Sequence, residues 1–151
     1  GYPESQLRKE LRFFPMVKNK KNLFEPTYSS QLLQIATGDL ATAKALIDSP
    51  APGRLENILY MIQQSVEKAL KSVLIKKQIS FPLVHDLGIL IALLPATDYP
   101  PGGFDWTALN PYASIRRYES GPMPIDFEEI KGAYQAAILV MDWASLHIKE
   151  K

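Results

Sequence analysis

The chain has 151 residues, 46% of them hydrophobic and 22% charged, with a net charge of +1. A domain takes about 100–200 residues, so a single domain is expected, long enough to bury a core without a metal or disulfide staple. The absence of cysteine excludes a disulfide framework, thiolate catalysis and cysteine-bound zinc or iron–sulfur centres, and His85 and His147 are too few for a His-rich metal site. Neither a metal nor a cofactor is expected. The longest apolar run, Leu87 to Leu94, is far short of the ~20 residues that span a bilayer. The opening Gly-Tyr-Pro-Glu-Ser does not read as a signal peptide. The expectation is a soluble, cytoplasmic domain with no membrane association.

In chain order, residues 1–28 form a basic N-terminal leader, with six Lys and Arg against three Glu for a net of +3, and residues 29–151 form the helical body. The leader reads as a solvated arm that is also able to touch phosphates. Ser29 or Ser30 can cap a first helix running to about Ile47, with Leu33, Ala36, Leu40, Ala43 and Ile47 at steps of three and four. Ser-Pro-Ala-Pro-Gly at 49–53 stops it. A second helix, from about Arg54 to Lys77, carries the strongest periodicity: Leu55, Ile58, Leu59, Ile62, Val66, Ala69, Leu70 and Val73 share one face. A link containing Pro82 leads to a third helix, about His85 to Leu94, apolar nearly all round and therefore expected to be buried on several sides. Residues 95–124 are mostly irregular, with a short helical turn around Asp105 to Tyr112. Asp126 and Glu129 resemble a capping box opening a last helix to about His147. No segment reads as a strand. Short links force antiparallel neighbours, so the predicted fold is all-α: an up-and-down antiparallel bundle of four main helices with an extra short helical turn.

Chemistry-bearing residues are few. On the second helix Tyr60, Gln64, Glu67 and Lys71 fall within a band about 60° wide, with Lys68 beside it. The band is either an ordinary wet face knitted by the Glu67–Lys71 i,i+4 pair or a binding face. His85 and Asp86 stand at the start of the third helix, where Asp86 suits a cap and His85 is either a ligand group or a bonded structural histidine. Arg116 and Arg117 follow the irregular stretch, where an Arg can hold phosphate bidentately or bridge to Glu67. There is no Walker-type loop, no G-x-S-x-G elbow and no H-E-x-x-H. The apolar run Val73, Leu74 and Ile75, with Met61 off the main face, is wider than one core stripe and points to a partner surface.

Met61 to Leu74 (M-I-Q-Q-S-V-E-K-A-L-K-S-V-L), then P-L-V-H-D-L at 82–87, L-N-P-Y at 109–112 and R-Y at 117–118, together resemble the HEPN family, the higher eukaryotes and prokaryotes nucleotide-binding domain. The stretch from Ala36 to Leu46 is similar to that family's first helix. The resemblance covers about residues 30–148 and leaves the leader unexplained. It implies a helical bundle, usually a homodimer, in prokaryotes often paired with a minimal nucleotidyltransferase. By resemblance the marked positions are Gln64, Glu67, Lys68, Lys71, His85, Asp86, Arg117 and Tyr118, to which the helical band adds Tyr60. Lys71 and Arg117 would neutralise phosphate, Glu67 would orient one of them, and Tyr118 would stack on a base.

Some family members are ribonucleases that use an Arg and a His separated by four to six residues. For His85 that Arg would fall at 78–80, which are Gln, Ile and Ser; for His147 it would fall at 140–142, which are Val, Met and Asp. The motif is absent, and no catalytic residue is assigned. The expected function is a nucleotide- or nucleotidyl-acceptor-binding helper subunit of a minimal nucleotidyltransferase. The alternatives are a ribonuclease toxin of a toxin–antitoxin pair with a diverged site, or a dimerising scaffold without ligand.

Overall fold

A computed structural model of the chain describes residues 24–114 and 124–150. Four α-helices make the body: α1 (Tyr28–Asp48), α2 (Leu55–Lys76), α3 (Leu87–Ala92) and α4 (Phe127–Lys149). Two 3-10 segments, Ala96–Asp98 and Trp106–Ala113, lie between α3 and α4. No strand occurs among the described residues, and the architecture is an all-α bundle. None of the described helices is long and apolar enough to cross a membrane.

Contacts set the directions. Phe24, just before α1, stacks on Phe81 beyond the end of α2, and Asp39 in mid-α1 pairs with Lys68 of α2, so the two helices run antiparallel. Lys44 near the end of α1 lies over the ring of Tyr134 near the start of α4, so α1 also opposes α4. Phe24 and Tyr28 are buried in the core, ahead of the expected start of the body at residue 29. Helix α1 begins a residue earlier than either serine expected to cap it. Tyr28 N–H and Ser29 N–H already donate to Glu25 and Pro26 carbonyls, and the Ser29 hydroxyl donates to Pro26 O instead of capping.

Helix α2 is the centre of the bundle, packed against α1, α3, α4 and the second 3-10 segment. Every residue from Ala69 to Ile75 is buried, so this part of α2 is enclosed on all sides. That corrects the reading of Val73, Leu74 and Ile75 as surplus surface: they are 0%, 0% and 2% exposed within one chain. The polar residues enclosed with them bond locally, Ser65 and Ser72 donating to the Ile62 and Ala69 carbonyls. Helix α3 departs in the opposite sense. Only Leu87 and Leu90 of it are buried, and Ile89 is 45% exposed, so it covers α2 with one face. The two aspartates act as helix starts: Asp105 and Asp126 side chains accept from Thr107 N–H and Glu128 N–H.

What positions the candidate site is the end of α2. Gln78 adopts a left-handed conformation (φ 57°), and Ile79 N–H closes the turn on Leu74 O at 2.9 Å. The chain then runs back along α2, which puts Phe81 opposite Lys71 and His85 opposite Glu67.

Candidate functional site

Gln63, Glu67 and Lys71 stand one helical turn apart on α2, and all three are buried, at 0%, 4% and 6% exposure. Glu67 is the hub. Its Oε1 accepts from Gln63 Nε2 at 3.0 Å and lies 2.9 Å from His85 Nδ1, and its Oε2 is 3.0 Å from Lys71 Nζ. The Gln63 amide also donates to the His85 carbonyl oxygen at 3.0 Å, fixing the backbone as well as the ring. Gln64, beside the row, donates to Gln63 Oε1 at 2.8 Å. The Lys71 ammonium lies 5.9 Å from the centre of the Phe81 ring, which closes it off from the other side.

Electrostatics fix the protonation pattern. Burial pushes the Glu67 carboxyl up, but the hydrogen bond from His85, the charges of Lys71 and His85 and the Gln63 amide outweigh it and hold the group at about 2. Glu67 is therefore an anion, able only to accept. His85 Nδ1 consequently carries a hydrogen and donates it as a hydrogen bond to Glu67, and in the neutral ring Nε2 is the basic nitrogen. The His85 side chain is 45% exposed, so a ring held from inside the protein presents itself to solvent.

The remaining residues expected at the site divide. Lys68 turns to the α1 side of α2 and pairs with Asp39, away from the Glu67 row. Asp86 caps α3, its carboxylate accepting from Ile89 N–H at 3.2 Å. Tyr60 is half-buried on α2. Arg117 and Tyr118, with Arg116, lie outside the described residues.

Two residues that the sequence reading did not single out join the assembly. Gln63 carried a signal, since it stands four residues before Glu67 and so on the same helical row. Asn110 stands in the L-N-P-Y motif at 109–112 without an assigned role; its Oδ1 accepts from Leu87 N–H at 2.9 Å and ties the second 3-10 segment to the start of α3, beside His85.

Comparison with curated proteins and with solved structures finds no significant match in either. The sequence profile of the HEPN domain matches residues 29–148, from the first turn of α1 to the last turn of α4. The chain belongs to the HEPN domain family.

Proposed function

We propose that this chain is a nucleotide- or nucleotidyl-acceptor-binding helper subunit, acting as a homodimer beside a minimal nucleotidyltransferase that supplies the catalysis. At family level a nucleotide- or RNA-related role applies, and domains of this family often dimerise. The observation that carries the reading is the Glu67–His85 pair. A buried, ionised carboxylate holds a half-exposed imidazole by Nδ1 and orients it for a phosphate oxygen. In this reading Glu67 and Gln63 orient His85, and Lys71 acts through Glu67 by balancing its charge. Arg117 is the second phosphate partner that the family pattern implies.

Calorimetric titration with ATP and AMP tests it. Binding should weaken about ten- to a hundred-fold in His85→Ala, the effect of removing a charged hydrogen-bond partner. Arg117→Ala should weaken it comparably and leave the melting temperature unchanged. Light scattering of the wild-type chain at tens of micromolar should give a dimer.

The same pair supports a second reading. An imidazole oriented through Nδ1 can act as a general base through Nε2, the role a ribonuclease needs. The two readings part on a single assay. The helper subunit leaves RNA intact, whereas cleavage abolished by His85→Ala would establish the nuclease.

A further inference from the structure

A cavity of about 690 Å³ opens between the N-terminal half of α4 and the second 3-10 segment with the loop before it. Its volume lies in the range of small-molecule sites, about 300–1,000 Å³. Leu59 of α2 forms one wall, Phe104 and Tyr112 bring two aromatic rings, and Glu129, Gly132 and Ala133 come from α4. Phe104 is held in place by Trp106, whose ring centre is 4.5 Å away. Glu129 is the only carboxylate residue among the lining residues; its side chain is exposed and makes no hydrogen bond or ion pair with another described residue.

Gly132 is the informative position. Glycine inside a helix costs about 1 kcal/mol relative to alanine, and it is usually kept where the chain crowds it or needs a positive φ. Gly132 is helical and an added Cβ would meet nothing within 4 Å; Gly38 is alike in this, but Gly132 lines the cavity. What the missing side chain leaves open is the cavity.

The cavity also has a position relative to His85. Leu59 stands one turn, about 6 Å along the helix axis, before Gln63, which holds the His85 backbone. The second 3-10 segment spans the same gap, with Leu109 and Tyr112 in the cavity wall and Asn110 bonded to Leu87 N–H. We infer that this cavity is the base pocket of the nucleotide site, and that it takes a base with an exocyclic amine (adenine, cytosine or guanine) over uracil. This rests on the nucleotide-binding reading above. The aromatic rings supply stacking, which any base accepts. Glu129 supplies the choice: a carboxylate accepts from the exocyclic amine of such a base and opposes the carbonyl that uracil places there. An aliphatic ligand would give Glu129 no partner, and a phosphate in the pocket would be repelled by it.

The test is calorimetric titration of AMP, UMP and adenosine into the full chain, its Glu129→Gln and Gly132→Leu variants, and Gly38→Ala as a control. Gly38 is a helical glycine of α1 with equal room and no part in the cavity. The wild type should prefer AMP to UMP by about ten-fold or more, the effect of one hydrogen bond to a charged group. Glu129→Gln should erase most of that preference without altering the melting temperature. Gly132→Leu should melt higher than the wild type yet lose the preference and bind AMP no better than UMP, while Gly38→Ala melts higher with binding unchanged. Equal affinity of the wild type for AMP and UMP, or AMP binding unaffected by Gly132→Leu, overturns the pocket while leaving nucleotide binding in place. If neither nucleotide binds, the helper-subunit reading fails, and adenosine, which has no phosphate, decides the pocket alone. Adenosine bound by the wild type and excluded by Gly132→Leu sustains it; adenosine bound by neither overturns it.

Discussion

At the scale of single residues the decisive fact is a buried charge pair whose members are unequal in their dependence on each other. Lys71 has Glu67 as its anion, whereas Glu67 is also held by Gln63 and His85. Removing the carboxylate leaves an uncompensated ammonium on an enclosed helix. Glu67→Ala is therefore expected to lower the unfolding free energy by about 3–5 kcal/mol. Glu67→Leu combined with Lys71→Met should recover most of that loss, because well-packed apolar replacements of a buried pair are close to neutral. Denaturant unfolding of the three proteins checks both statements. The double variant serves a second purpose: it keeps the fold while removing the group that orients His85, so nucleotide binding should fall even though stability does not.

At the scale of elements, the contact between α3 and the second 3-10 segment is set by a missing methyl group. A Cβ on Gly88 would lie 2.9 Å from Thr107 Cγ2 and 3.2 Å from the Asp86 carboxylate that caps α3. Thr107 cannot easily swing aside, because it is β-branched and its hydroxyl donates to Asp105 at 2.5 Å. Gly88→Ala should thus destabilise by about 1–3 kcal/mol, the usual cost of overpacking. Gly88→Ala with Thr107→Ser, which deletes the clashing methyl and keeps the hydroxyl, should return the melting temperature to the wild-type value. None of this is visible in the sequence, where Gly88 merely interrupts an apolar run. The boundaries of α2 were legible: an unbroken apolar row from Leu55 to Val73 predicts a helix from about Arg54 to Lys77, and Leu55–Lys76 is what forms. Its all-round burial was not, since a single-helix wheel cannot count how many neighbours arrive. The return of the chain to His85 depends on Gln78 in a left-handed turn, a conformation that a glycine would have announced and a glutamine does not.

For the molecule as a whole, the site makes a measurable contribution to acid sensitivity. Glu67 titrates at about 2 in the folded chain against an ordinary 4.5. Between those values the unfolded chain binds a proton that the folded chain does not, so stability is lost as pH falls through the window. The shift corresponds to about 3 kcal/mol, fully present above pH 4.5 and gone below about 2. Unfolding free energies of the wild type and of Glu67→Gln from urea titrations, measured from pH 5 down to 2, should converge by that amount. The helical class of the fold was legible from the apolar steps of three and four, and the family from Q-x-x-E-K-A-L-K, H-D-L and R-Y in that order. The inward use of Glu67 and Lys71 was not, because a polar band on one helix reads the same whether water or another segment lies against it.

The central position of α2 has a consequence in time. A helix enclosed by α1, α3, α4 and the second 3-10 segment can expose its amides only when the bundle comes apart, so its hydrogen exchange should proceed at the rate of global opening. The short 3-10 segment, with Thr107, Ala108 and Pro111 exposed, can detach locally and should exchange far sooner. One wall of the cavity thus belongs to the slowest part of the molecule and the facing wall to one of its fastest. A ligand entering there meets a fixed floor and a yielding cover, and its binding should appear in exchange experiments as slowing confined to Trp106–Ala113, with the α2 rates unmoved.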